Sequence, residues 1–335
     1  MVLIFLTVIV GCLSFEPSAV STEEPREVLI IYTGNLLAEL KPCGCAKEED
    51  QGGIERRMQY LKDTRKTHSH TLLVDTGDHF KEPTRQGKLK AETLLTATEK
   101  MKYDAVALGD RDLVYGSQFL QDWTQIPWMA GNLMINQFEP ARSRVKKFSN
   151  GLKVGILAVA DPDLFYDHVD LQIKDPKHTV SNLIKHMRET EEPDLIVLLT
   201  HANKETALTY LNMDGVDIVI NGHIVTESDV IDMAPVQKNG KLFVQSSSRG
   251  QKMGELRVQI GPDGIKSFKQ NLVKLDSSVN FDSEMVKLYE QYNEKVEAMF
   301  FEALAGKRSK KKQFIYAGET VCKNCHPTEH KVWSE

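Results

Sequence analysis

From Glu27 onward the chain repeats one pattern: a short apolar run, a Gly or Asp, then a polar stretch with apolar residues at helical spacing. EVLIIYTG, TLLVDTGD, YDAVALGD, WMAGN, LKVGILAVAD, PDLIVLLTH, VDIVINGH and KLFVQSSS are bounded by turn residues, and most are apolar without alternation. That texture predicts strands covered on both faces. Helices are predicted near residues 53–66, 88–100, 117–121, 179–190 and 204–211, and the alternation of the two predicts an α/β fold. After Gly254 the pattern changes: ELRVQIG and IKSFKQNLVKL flank a Gly-Pro-Asp-Gly turn and predict an antiparallel hairpin that closes the sheet. Residues 283–305 then place Met285, Leu288, Tyr289, Tyr292, Val296, Met299, Phe300 and Ala303 at helical spacing behind Asp282 or Ser283 as N-cap, which predicts a helix with one packing face. There is no internal repeat.

Composition narrows the class. A chain of 335 residues, 41% hydrophobic and 27% charged, has room for one large or two small soluble domains. A net charge of −5 argues against a nucleic-acid partner, and the run Lys307-Arg308-Ser309-Lys310-Lys311-Lys312 reads as a linker. The opening MVLIFLTVIV is too short to span a bilayer but suits the apolar region of a secretory signal, so export is expected. Ile9-Val10-Gly11-Cys12 resembles a bacterial lipobox. The resemblance implies a lipidated Cys12, a periplasmic or membrane-anchored lipoprotein, and a tether over residues 15–26; the alternative is a buried Cys12 in a discarded signal. The other cysteines fall as Cys43 with Cys45 and Cys322 with Cys325, which is no long-range disulfide framework.

Candidate chemistry sits where strands end. TLLVDT-Gly77-Asp78, DAVAL-Gly109-Asp110, LIVLLT-His201 and IVIN-Gly222-His223 each deliver Asp or His at the carboxyl end of a buried strand, where open α/β sheets place their sites. Taken singly, each is a capping Asp or a satisfied core His. Together, two carboxylates and two imidazoles suit one divalent ion of Mn, Fe or Zn.

The order "GD", "YDAVALGD", "TH", then "NGH" followed by "VQSSSRGQKMGELRV" resembles the calcineurin-like metallophosphoesterases, and within them the exported 5′-nucleotidase branch, from about Glu27 to Leu275. The resemblance implies a four-layer αββα sandwich around two mixed sheets and a dinuclear centre that hydrolyses phosphate esters. It also implies that Asp78 keeps the bridging position, His201 the lone His and His223 the first His of the closing element, with Asp110 replacing an Asn ligand. These four would form the second metal site. Asn35 and Leu37 stand where the first site has Asp and His, and Val225 where it has its last His. Arg111 occupies the place of the assisting His; it cannot give up a proton near neutral pH but can hold a substrate anion. The expectation is a mononuclear descendant.

Lys41-Pro42-Cys43-Gly44-Cys45 precedes Gly52-Gly53-Ile54-Glu55-Arg56-Arg57, which echoes the "GG-x-ARR" opening of the first long helix in that branch. Cys43 and Cys45 are read as a strained, redox-labile disulfide, as extra thiolate ligands, as a thiol pair handling a sulfur substrate, or as an unreactive loop. The thiosulfohydrolase of bacterial sulfur oxidation, which resembles the 5′-nucleotidases and works beside c-type cytochromes, is an analogy for the third.

Cys322-Lys323-Asn324-Cys325-His326 is a c-type haem attachment signature, with two thiols for the vinyl groups and an imidazole for the iron. With Tyr316-Ala317-Gly318 before it and Trp333-Ser334 after, it resembles the first haem motif of multihaem cytochromes of the c554 type, which implies covalent haem c. Half of a Cys/His zinc site completed by His330 is the alternative. About twenty residues are too few to enclose a haem, so the chain reads as truncated or split.

The expected organisation is a signal, lipobox and tether over 1–24, a metallophosphoesterase-like domain over 25–275, a helix and basic linker over 276–312, and an incomplete haem segment over 313–335. The expected function is an exported hydrolase of small anionic phosphate or sulfur esters, linked to a redox partner or multihaem cytochrome domain. The alternative is a non-hydrolytic module of such a cytochrome that binds an oxyanion or sulfur compound.

Overall fold

The computed structural model describes residues 26–42, 50–165, 171–224, 233–309, 323 and 330–332. The chain runs β1 (Arg26–Thr33), α1 (Ile54–Thr67), β2 (Thr71–Asp75), α2 (Arg85–Met101), β3 (Ala105–Ala107), α3 (Ser117–Gln121) and β4 (Trp128–Met129). It continues through β5 (Leu133–Ile135), β6 (Ser143–Lys147), β7 (Lys153–Ala160), β8 (Leu171–Ile173), α4 (Pro176–Thr190), β9 (Leu195–His201) and α5 (Lys204–Thr209). The last elements are β10 (Ile218–Asn221), β11 (Val236–Lys238), β12 (Lys241–Gln245), β13 (Lys252–Gly261), β14 (Gly264–Lys274) and α6 (Ser283–Ser309).

Two six-stranded sheets carry the fold, one ordered β14-β13-β1-β2-β3-β4 and the other β11-β12-β10-β9-β7-β6; β5 and β8 pair apart from them. Each sheet has a parallel centre and antiparallel pairing toward an edge. The alternation of side chains along each central strand divides the interior into three apolar layers. From β1, Leu29 and Ile31 face α1, α2 and α6, where Ile54, Leu61, Leu94, Met285 and Tyr292 cover them. Val28 and Ile30 point the other way and meet Val154, Ile156, Val197 and Ile218 of the second sheet. Beyond that sheet, Leu157, Ile196 and Leu198 pack on Val180, Ile184 and Ala207 of α4 and α5. The result is helix, sheet, sheet, helix: the four-layer αββα sandwich expected from the sequence.

Local chemistry accounts for the boundaries. α2 begins three residues before the expected Lys88 because Thr84 caps it, its hydroxyl accepting from the Gly87 N–H at 2.9 Å. Asp175 caps α4 ahead of Pro176 in the same way. α5 gives way after Thr209 to a 3-10 turn over Tyr210–Asn212, where the sequence predicts continuous helix to Leu211. The Asp282 carboxylate accepts from the N–H groups of Glu284 and Met285, so it is the cap of α6. The hairpin of β13 and β14 forms as expected, with Gly264 at φ 104° in its turn, and lies beside β1. β6 and β11, rich in lysine and polar residues, have no apolar run and escape the sequence pattern; both are edge strands, where such residues oppose further pairing.

α6 lies antiparallel to α2, as Lys100–Glu284 (2.6 Å) and Arg85–Glu302 (2.8 Å) record at its two ends. Its packing face is shorter than the sequence predicts. Met285 and Tyr292 are buried, and Leu288, Tyr289 and Val296 are partly covered, but Phe300, Phe301 and Leu304 are exposed. α2 has 17 residues and α6 has 27, so α6 outruns α2 only beyond Glu302, while Phe300 and Phe301, inside the paired span, face solvent.

Candidate metal centre

The carboxyl ends of β2 and β3 in one sheet and of β9 and β10 in the other point to the same edge of the sandwich. Asp78 follows β2 by three residues, Asp110 follows β3 by three, His201 ends β9, and His223 follows β10 by two. Each sheet thus contributes a like pair, acids from the first and imidazoles from the second. Gly77, at φ 93°, and Gly109 let the two acidic loops touch. A Cβ on Gly77 would lie 2.4 Å from the Gly109 nitrogen, and one on Gly109 would lie 2.3 Å from Asp78 Oδ1.

One ligand atom from each of Asp78, Asp110, His201 and His223 lies within 4.8 Å of every other. His201 Nε2 is 3.0 Å from Asp110 Oδ1 and 3.3 Å from Asp78 Oδ1, and His223 Nδ1 is 3.3 Å from His201 Nε2 and 3.6 Å from Asp110 Oδ1. The donor set fits a divalent ion. His201 Nδ1 faces the Thr76 carbonyl at 2.9 Å, so Nδ1 carries a proton and Nε2 is turned to the cluster, the orientation a ligand needs. Asp78 and His201 are buried, while Asp110 and His223 form the side open to solvent.

Burial pushes the Asp78 carboxyl up to about 6 against the attraction of His201. Burial would also raise Asp110, but hydrogen bonds from His201 and His223 overcome it and hold this carboxyl far below the usual range. For His201, burial opposes the charged ring, and the two carboxylates outweigh it, raising the imidazole to about 9.

Arg111 stands at the rim. Its backbone N–H donates to Asp78 Oδ1 at 3.1 Å and its Nε lies 3.8 Å from Asp78 Oδ2, with the side chain about half exposed. Asn35 and Leu37 lie on the loop after β1, knitted to the Asp78 loop: Asn35 N–H donates to Gly77 O at 2.8 Å and Leu37 N–H to Asp78 O at 3.1 Å. The Asn35 side-chain amide N–H donates to the Gly222 carbonyl. A polar cleft lined by Glu39, Lys81, Glu82, Thr84 and Lys90 opens beside Leu37. Cys12, Cys43, Cys45, Val225, Cys322, Cys325 and His326 lie outside the described residues.

Three buried residues at the centre were not singled out from sequence: Thr76, His79 and Asp112. Asp112 accepts from the backbone N–H groups of Asp78, His79 and Gly109, and His79 lies between Asp112 and Asp75. The acidic Gly-Asp-Arg-Asp stretch was visible as a string, but nothing local marks its second Asp as inward-facing.

No family model matches the chain. In sequence it is 25% identical over 275 residues to the 5′-nucleotidase of Vibrio parahaemolyticus, an alignment covering 69% of this chain and 48% of that protein. It therefore spans about half the length of this curated relative. In structure it superposes on the 5′-nucleotidase precursor from Thermus thermophilus with TM-score 0.70 and 18% identity, covering 82% of this chain and 60% of the other. It superposes on the sulfate thiohydrolase SoxB of Thermus thermophilus, in complex with glycerol, with TM-score 0.68 and 12% identity over 79% of this chain and 60% of that one. These likenesses establish the fold.

Proposed function

We propose that this chain, which has the calcineurin-like phosphoesterase fold and 5′-nucleotidase relatives, is a metal-dependent hydrolase whose centre holds one ion on Asp78, Asp110, His201 and His223. The observation that carries the reading is an asymmetry. Four ligand atoms converge within 4.8 Å, whereas Asn35 turns an N–H donor onto the Gly222 carbonyl and Leu37 offers no ligand atom. The substrate class is a small phosphate or sulfur ester. A divalent ion in this site supplies Lewis-acid polarisation of a phosphoryl or sulfuryl oxygen. The chain's own residues supply the rest: Arg111, at the solvent side of Asp78, holds the substrate oxyanion, and Thr76 keeps the His201 ring in register. In the proposal Arg111 binds and orients, since a guanidinium does not act as general acid near neutral pH.

The proposal includes export, with Cys12 as a lipid anchor, and a link to c-type haem through Cys322, Cys325 and His326. α2 starts at the sheet edge that carries the cluster, and α6, running antiparallel to it, ends at Ser309 toward that same edge. Among the described residues no helix is long and apolar enough to cross a membrane.

The test is turnover by the purified, metal-loaded protein of phosphomonoesters, phosphodiesters and thiosulfate conjugates, expected for at least one class and lost in Asp78→Asn. Arg111 in the place of the assisting His favours a second reading, a non-hydrolytic oxyanion-binding module. Saturable binding of phosphate or thiosulfate with no turnover of any ester would replace the first reading by the second.

A further inference from the structure

Asp112 lies on the 3-10 turn Asp110–Leu113, and its side chain is fully buried. Its Oδ2 accepts from the N–H of Gly109 at 2.8 Å and from the N–H of Asp78 at 3.0 Å. Those two donors belong to different strand ends, so one carboxylate oxygen ties the loop of Asp78 to the turn of Asp110. Its Oδ1 accepts from the His79 N–H at 2.7 Å and faces His79 Nδ1 at 3.1 Å. His79, also fully buried, has its Nε2 3.4 Å from Asp75 Oδ1. Asp75 in turn accepts from the Gly77 N–H at 2.8 Å and from the Thr33 hydroxyl at 2.5 Å. The chain Thr33, Asp75, His79, Asp112 therefore crosses from β1, through β2, to the turn after β3.

A buried carboxylate is costly unless it is paired and hydrogen-bonded, and Asp112 is both. His79 lies between the two carboxylates, its Nδ1 3.1 Å from Asp112 Oδ1 and its Nε2 3.4 Å from Asp75 Oδ1. Neither Asp112 nor His79 belongs to the set of groups converging on the candidate ion site, although both adjoin it.

We propose that Asp112, braced by His79 and Asp75, is a positioning residue that sets the separation of Asp78 and Asp110 and so the affinity and geometry of the metal centre. The proposal rests on the reading of those two acids as ligands. It deepens that reading by assigning a role to a His-carboxylate chain that touches neither ion nor substrate.

The test titrates Mn²⁺ into the full chain by calorimetry and records the Mn²⁺ electron paramagnetic resonance spectrum for wild type, Asp112→Asn, His79→Gln and Met285→Ala. Asp112→Asn keeps the size of the side chain but loses one of its acceptor oxygens. It is expected to weaken Mn²⁺ binding on the order of 10–100-fold, with a changed spectrum, and His79→Gln to weaken it less. Met285→Ala, in the core under α6, serves as a destabilised control that keeps wild-type affinity and spectrum. If Asp112→Asn does not fold, His79→Gln carries the test. A folded Asp112→Asn or His79→Gln with wild-type affinity and spectrum overturns the brace alone. Absence of Mn²⁺ binding in wild type overturns the metal centre itself and the brace with it.

Discussion

At the scale of single residues the centre is built under constraint. Asp78 sits at φ 63°, a left-handed conformation that a non-glycine residue adopts at some cost, and it is held there by the Arg111 backbone N–H donating to its carboxylate and by Asp112 accepting from its own N–H. Gly77 beside it cannot carry a side chain. Gly77→Ala drives a Cβ to 2.4 Å from the Gly109 backbone, so a loss of about 1–3 kcal/mol is expected in urea unfolding, with loss of divalent-ion binding. Unchanged ion affinity in that variant would show that the two loops need not touch. The imidazole of His201, raised to about 9 from its ordinary 6.5, carries a proton at neutral pH that an incoming ion must displace. The sign follows: affinity falls as pH falls below that value, by up to about tenfold per pH unit for one displaced proton. Calorimetry in buffers of different ionisation enthalpy should find proton release, and a binding constant flat between about pH 6 and about pH 8 would contradict it. The four candidate ligands were legible in the sequence because each follows or ends an apolar run. Thr76, His79 and Asp112 were not, because their partners come from other strands, and a buried His or Asp is identified by what surrounds it rather than by its neighbours in the chain.

Among the elements, α6 shows both the strength and the limit of reading periodicity. The spacing of Met285, Leu288, Tyr292 and Val296 predicts the helix and its inner face correctly, since those residues lie over α1 and α2. The same spacing continues through Phe300, which is exposed although the Arg85–Glu302 pair brackets it within the span of α2. Stability should divide along that line. Met285→Ala is expected to cost about 2–5 kcal/mol as a buried large-to-small change. Phe300→Ser should stay within about 0.5 kcal/mol. Equal losses in chemical denaturation would mean that the end of α6 is covered in solution. The edge strands β6 and β11 were not legible because a lysine-bearing edge does not look like a strand until the sheet it borders is known.

For the whole molecule, the two sheets divide the work. The first supplies both carboxylates, the second both imidazoles, and the candidate centre lies where the sandwich brings the two edges together. The fold class and the four layers were legible because buried parallel strands have a recognisable texture. The side-chain amide of Asn35, one of the positions read from the sequence as a replaced ligand, donates to the Gly222 carbonyl. The central claim is therefore one ion, held by residues from both sheets. Its most direct test is elemental analysis of metal per chain, with protein quantified by amino-acid analysis, on wild type and His223→Ala. One divalent ion per chain, lost or strongly reduced in the variant, is the predicted result; two ions per wild-type chain, or one that survives removal of His223 undiminished, would contradict the account.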